Sequence, residues 1–193
     1  MEIKKITTKQ KIMNTAWNLF VKQGYDNTTI NQIIEQSKTS RGSFYHHFKG
    51  KEELLFSVAY IFDNNYEAWE KTVDNSMHAA DKLLSFDAYV LNNIETSPYR
   101  TFLTTLYGMQ VMTDRTRHIL NRNRRYYQII SIIIKEGLEK GELKSNLSYL
   151  ELAEDFSIIE RGLTYDWCLN QNRYSLLQYG QRIISIYLNS IRV

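Results

Sequence analysis

Proline, cysteine and glycine are scarce in this chain, and each scarcity excludes something. Across 193 residues there is one proline, Pro98, one cysteine, Cys168, and eight glycines. Strands and hairpins need frequent turn residues, so a chain with so few breakers reads as all-α. A lone cysteine has no partner for an internal disulfide, which fits a reducing, cytoplasmic setting. Long hydrophobic runs are missing too. The most apolar stretch, Ile129 to Ile134, is six residues long and interrupted by Ser131, whereas a membrane span needs roughly 18. The opening MEIKKITTKQ lacks the apolar segment of a secretory signal, so no membrane partner is expected. Hydrophobic residues still make up 43% of the chain, an ordinary globular share that argues against disorder.

What is present is unevenly spread. Residues 1–51 carry nine Lys or Arg against three acids, while residues 52–193 carry fifteen against eighteen. A basic head on a mildly acidic body points to a polyanion at the head or, equally on charge alone, to a solvated basic surface.

Motifs separate the two. Thr7 followed by Gln10 has capping-box spacing, and Ile12, Ala16, Leu19 and Phe20 share a helical face that Gly24 terminates. A second, short helix starts at Thr28 or Thr29, where Gln32 again sits three places on, and shows an apolar face of Ile30, Ile33 and Ile34. Ser40 can cap a third helix in which Phe44 and Phe48 are anchors. That leaves Arg41, Ser43, Tyr45, His46 and His47 facing outward. A polar second helix on an apolar anchor, reached through a brief turn, is the pattern of a helix-turn-helix. Its chemistry suits duplex DNA. Arg41 offers a cation to phosphates or guanine edges, Ser43 and His46 can meet base edges, and Tyr45 can reach a phosphate. Thr28 or Thr29 on one side and Lys51 on the other are expected to clamp the backbone.

The ordered string Leu19-Phe20, Gly24-Tyr25, Thr28-Thr29-Ile30, Ile33, Ser40-Arg41-Gly42, Tyr45, Phe48, Lys51-Glu52 and Leu54 resembles the DNA-binding head of the TetR/AcrR family of transcriptional regulators. Two positions depart from the family pattern. Where the family usually has Gly and a small apolar residue in the turn, this chain has Lys38 and Thr39. A left-handed Lys costs roughly 1 kcal/mol more than Gly.

The remainder reads as long helices: about 52–75, 80–96 (ending ahead of Pro98), 99–113, one ending at Lys140-Gly141 after a basic stretch, 147–169 and 174–191. With three in the head this makes about nine, the architecture the resemblance implies, and it divides the chain into a head of residues 1–50 and an effector-binding and dimerisation body of 51–193. The resemblance further implies a homodimer whose last two long helices pair with their copies. Phe156, Leu163, Trp167, Ile183, Ile184 and Tyr187 are the candidate interface, with protomer core as the equal alternative for each. It also implies a small-molecule pocket among the middle helices, where the chain is rich in aromatics, Tyr107 and Tyr126 among them. Phe62, Tyr66, Trp69, Tyr89, Phe102, Met109, Tyr127 and Phe156 are the candidate lining for an apolar or aromatic effector, again against a core alternative. Asn92, Asn93 and Glu95 are candidate polar anchors if they point inward, with surface exposure the favoured alternative.

No nucleophile–base–orienter set or glycine-rich phosphate loop is legible. Adjacent His46 and His47 project about 100° apart on a helix and cannot easily share a metal. No enzyme activity, cofactor or metal is expected. The expectation is a ligand-responsive repressor on a palindromic operator; the rival is an architectural or cell-division DNA binder without an effector.

Overall fold

The computed structural model describes residues 6–112 and 117–193. Among them the chain is helical throughout, apart from one isolated bridge between Leu143 and Arg192. The head comprises α1 (Thr8–Gln23), α2 (Ile30–Ser37) and α3 (Arg41–His47). Then follow α4 (Lys51–Phe56), α5 (Val58–Thr72), α6 (Ala79–Thr96), α7 (Leu103–Met112), α8 (Arg125–Glu139), α9 (Tyr149–Leu169) and α10 (Leu176–Ile191), with 3-10 turns at Arg100–Phe102 and His118–Leu120. The helix expected over 52–75 is broken at Ser57 into α4 and α5; taken as one run, they bring the described count to nine. The helix expected from Tyr99 begins as a 3-10 turn, and its end at 113, with residues 114–116 of the basic stretch, lies outside the described residues.

Local chemistry sets the head's ends. Thr7 caps α1 and Thr29 caps α2, each in a reciprocal capping box with Gln10 and Gln32. Such caps satisfy amide groups that a helix start leaves without partners. Gly24, at φ 86°, ends α1 by donating its N–H to Phe20. Lys38 ends α2 at φ 52°, ψ 45°, the left-handed geometry that its place in the turn demands. The Thr39 amide then bonds back to the Ile34 carbonyl at 3.2 Å, and the Ser37 and Thr39 hydroxyls meet at 2.8 Å. The turn thus keeps its shape with Lys in place of Gly.

In the body, α6 is the central helix, packed by α5, α8 and α10. Two glycines permit the closest approaches. A Cβ on Gly137 would collide with Ala79 and Leu143, and one on Gly180 with Leu91. Glu95 accepts from the Leu177 amide at 2.9 Å and from the Ser175 hydroxyl, tying the end of α6 to the start of α10. Its sequence-expected role as a pocket anchor is therefore replaced by a capping one.

Head and body meet at Trp17. Its indole N–H donates to the Ser57 hydroxyl at 3.0 Å, and Ser57 in turn donates to the Leu54 carbonyl at 2.6 Å. Tyr99 and Phe102 pack edge-on against the same ring, at 5.0 and 5.7 Å between centroids. The break in the α4–α5 run lies at the serine that receives the head's tryptophan.

Candidate nucleic-acid interface and effector cavity

Helix α3 is short and sharply two-sided. Ser40 caps it by accepting from the Ser43 amide at 3.0 Å. Phe44 is fully buried and Phe48, 3% exposed, lies against it at 6.0 Å. Arg41, Tyr45 and His46 are exposed and Ser43 is half-buried. The Arg41 guanidinium lies 6.0 Å from the Tyr45 ring centroid, so the two form one stacked edge. Four donor-bearing side chains thus project from a helix anchored by two phenylalanines.

Two of the expected backbone clamps are placed otherwise. Thr28 is buried, and its hydroxyl donates to the Gly24 carbonyl at 2.8 Å, so its side chain is not presented to a phosphate. The Lys51 ammonium donates to the carbonyls of Tyr25 and Thr28 at 2.7 and 2.9 Å and sits 4.2 Å above the Tyr25 ring. It latches α4 to the turn before α2 rather than standing free. Thr29 and Ser40 remain exposed at helix starts, where amide groups and the helix dipole favour an anion.

Between α5, α7, α8 and α9 lies a cavity of about 70 Å³. Of the eight expected lining residues, Phe62 and Tyr66 are on its wall. Trp69 bonds Ser85 and packs on Phe86, the Tyr89 hydroxyl bonds the Asn65 carbonyl, and Phe102 faces Trp17. Tyr127 faces Glu154, Phe156 is sealed in the core beside Tyr187, and half-buried Met109 is off the wall. Asn93 lies on a shallow surface depression beside α5, and Asn92 is exposed. The wall is completed by Tyr107, Tyr126, Arg124, Arg161, Glu160, Thr164 and apolar residues.

The polar part of this interior was not singled out in the sequence. Arg124 makes a bidentate pair with Asp63 at 2.8 and 3.0 Å and a third bond to the Ala59 carbonyl. Both side chains are nearly buried. Burial disfavours the Arg124 charge, but the Asp63 carboxylate more than offsets it and raises its pKa. The Tyr126 hydroxyl donates to Glu160 at 3.0 Å. Burial first, and the nearby Asp87 second, push the Glu160 carboxyl well above its usual range. Asp87 takes the Gln181 amide on one oxygen at 2.6 Å, its other oxygen has no partner, and burial pushes it up to about 7. A signal for Glu160 was present in the sequence. It falls on the apolar stripe of α9 with Leu152, Phe156, Leu163 and Trp167, where a surface acid has no place.

The expected interface residues also sort by burial. Phe156, Trp167 and Ile184 are core and Leu163 is buried in the protomer, whereas Ile183 and Tyr187 are half-buried. Outward stand Ile158, Tyr165 and Leu169 on α9, with Gly162 between them, and Tyr179 and Ile186 on α10. Of the two readings open for each residue, burial gives protomer core to Phe156, Leu163, Trp167 and Ile184 and leaves Ile183 and Tyr187 open, because α9 is apolar on two faces and periodicity alone does not say which one is inward.

A capped, two-sided recognition helix on a small apolar head, carried by an all-α body with a small cavity among its helices, defines a DNA-binding regulator of the helix-turn-helix class. Residues 12–58 match the bacterial regulatory proteins of the tetR family, and residues 62–190 match the C-terminal region of YsiA-like proteins. The chain belongs to the TetR family. It is 29% identical over 136 residues to the HTH-type transcriptional regulator QacR of Staphylococcus aureus, spanning 69% of this chain and 72% of that one. It is 23% identical over 184 residues to the fatty acid metabolism regulator protein of Bacillus subtilis, 94% of each. Thermus thermophilus FadR, a TetR-family repressor solved with lauroyl-CoA, superposes with a TM-score of 0.76 at 17% identity, covering 91% of this chain and 92% of that one. The chain is thus a DNA-binding transcriptional regulator. Among the described residues no helix is long and apolar enough to cross a membrane.

Proposed function

We propose that this chain is a cytoplasmic repressor in which residues 1–50 form the DNA-binding head and 51–193 the effector-binding and dimerising body. It acts by recognition rather than by catalysis. Two copies place their α3 helices in successive major grooves of a palindromic operator, half-sites roughly 34–36 Å apart. Arg41, Ser43 and His46 read base edges. Tyr45, with the starts of α2 and α3 at Thr29 and Ser40, holds phosphates. The observation that carries this is the two-sidedness of α3, with Phe44 sealed inside and Arg41, Tyr45 and His46 in solvent. The copies meet through the exposed apolar stripes of α9 and α10, Ile158, Tyr165 and Leu169 against Tyr179 and Ile186. Gly162 supports this pairing, since its missing side chain faces open space and leaves room for a partner helix.

The cavity favours an effector over the architectural rival. At about 70 Å³ it is far below the roughly 300 Å³ or more that drug-sized ligands occupy. A ligand therefore has to part α5 and α7 to enter. Both helices adjoin the Trp17 joint, through Ser57 at the start of α5 and through Phe102 just before α7, so opening the body shifts the head. DNA is released only to the extent that the ligand prefers the opened form.

Sites selected from random DNA test the reading. The expected result is a two-fold sequence whose affinity falls steeply with salt, as phosphate neutralisation requires. A flat salt response, or sites without two-fold symmetry, sinks it.

A further inference from the structure

The last turn of α3 carries two adjacent imidazoles, His46 and His47. Their ring centroids are 4.8 Å apart, the planes inclined at 71°, and His47 in turn lies 6.4 Å from the Phe48 ring. The row runs from a buried anchor out to solvent, with Phe48 enclosed, His47 half-buried and His46 exposed. Nothing in the protein answers a positive charge there. Every ion pair among the described residues lies in the body. Of the helices packed on α3, α1 carries Lys9, Lys11 and Lys22, and α2 carries Glu35 with Lys38 at its end. Arg41 and Tyr45 share α3 itself. On α4, Glu53 is turned to the Lys49 amide at 2.7 Å.

We infer, on the reading of α3 as the recognition helix, that His46 meets DNA as its imidazolium, so that each subunit takes up one proton on binding. A neutral imidazole offers one donor and one acceptor, whereas the imidazolium offers two donors and no acceptor. Phosphate oxygens and the O6–N7 edge of guanine are acceptors only. DNA therefore selects the charged form twice, by its field and by its hydrogen bonds. The free carbonyls of a helix's last turn favour a cation as well. The charge falls on His46 because two cations 4.8 Å apart repel, and His47 is the one withdrawn from solvent beside Phe48.

The proton comes from solvent, forms an N–H bond on the free ring nitrogen of His46 as the duplex arrives, and returns to solvent when it leaves. Histidine changes charge between about pH 5 and 8, with its ordinary midpoint near pH 6.5. Below that midpoint the ring is charged before DNA arrives, and affinity is level. Above it each subunit must draw its proton from a scarcer supply. Affinity then falls as pH rises, until the bound ring too is neutral.

The test is fluorescence anisotropy of the full-length protein, at fixed salt across a pH series, on a duplex bearing the two-fold site recovered from random DNA. Above about pH 6.5 affinity should fall by as much as ~tenfold per pH unit for each subunit. Calorimetry in buffers of different ionisation enthalpy should show about one proton taken up per subunit. His46→Gln should weaken binding most at low pH and flatten the profile, while His47→Gln keeps the slope. His46→Lys, charged throughout, should stay tight across the series, a rescue that a merely structural role would not give. The acceptor is read from the same variants. Against a phosphate, His46→Gln lowers the salt slope by about 1 per subunit; against guanine, it relaxes the selected sequence at one position of each half-site. No proton uptake in the wild type, a His46→Gln profile as steep as the wild type's, or a slope lost with His47→Gln instead each overturns the inference. A protein that selects no site, or binds DNA with no salt response, strikes the regulator reading beneath and this inference with it.

Discussion

Behind α3 the head buries carbon almost throughout, with Ile12, Ala16, Phe20, Ile33 and Phe44 fully enclosed, and spends its polar side chains on helix ends. Behind α5 the body buries an ion pair, a carboxyl held by a tyrosine, and a second carboxyl held by an amide. A carbon core with capped ends gives a fixed surface, which suits a part that must present the same four side chains to DNA each time. A core containing titratable groups is conditional, since its balance depends on what enters and on pH. One chain thus keeps its reader rigid and its sensor electrically adjustable.

The largest effect is expected from Asp63→Ala, which strands the Arg124 charge in the interior. Breaking one partner of a buried pair costs roughly 3–5 kcal/mol, read as a lower urea midpoint; a loss below ~1 kcal/mol would erase the contrast between the two regions. Next comes pH. Asp87 is raised in the folded protein from 3.8 to about 7. Between those values the unfolded chain gives up its proton while the folded one keeps it. Stability therefore falls as pH rises through that window, by as much as ~1.4 kcal/mol per unit, and levels off above it. Asp87→Asn should flatten this part of the profile, and a wild-type stability that climbs from pH ~4 to ~7 contradicts the burial account.

On the head, Arg41→Ala and Tyr45→Ala should each weaken operator binding by roughly 1–3 kcal/mol, seen by fluorescence anisotropy. Their unfolding should stay within about 0.5 kcal/mol of wild type. If both keep full affinity, α3 is not the recognition helix. The smallest change sharpens the comparison. Lys38→Gly should stabilise by ~1 kcal/mol by relieving the left-handed lysine, with operator affinity unchanged; a large loss of affinity would make Lys38 part of the DNA contact.

What could be read from the sequence follows the same divide. Thr7 with Gln10, Thr29 with Gln32, and Ser40 ahead of Phe44 act across three or four residues, so spacing alone placed the head's helices and its outward face. The strained turn at Lys38 was legible only against the family pattern, which usually has Gly at that place. Lys51 was misjudged because its partners, the carbonyls of Tyr25 and Thr28, are more than twenty residues away. The cavity was half seen: Phe62 and Tyr66 are on its wall, but Phe102 and Tyr127 turn toward other helices, which no periodicity reports. Asp63 with Arg124, and Tyr126 with Glu160, join α5 to the start of α8 and α8 to α9. Only the folded bundle brings those charges together.

Trp17 gives the joint between the two regions an optical consequence. Its indole is hydrogen-bonded at one edge, ringed by Tyr99 and Phe102, and almost free of solvent. The chain has two other tryptophans, Trp69 and Trp167, and both belong to the body. With those two replaced by phenylalanine, the remaining emission would come from the seam itself. The colour of that emission would then register, without any attached dye, how far head and body have parted.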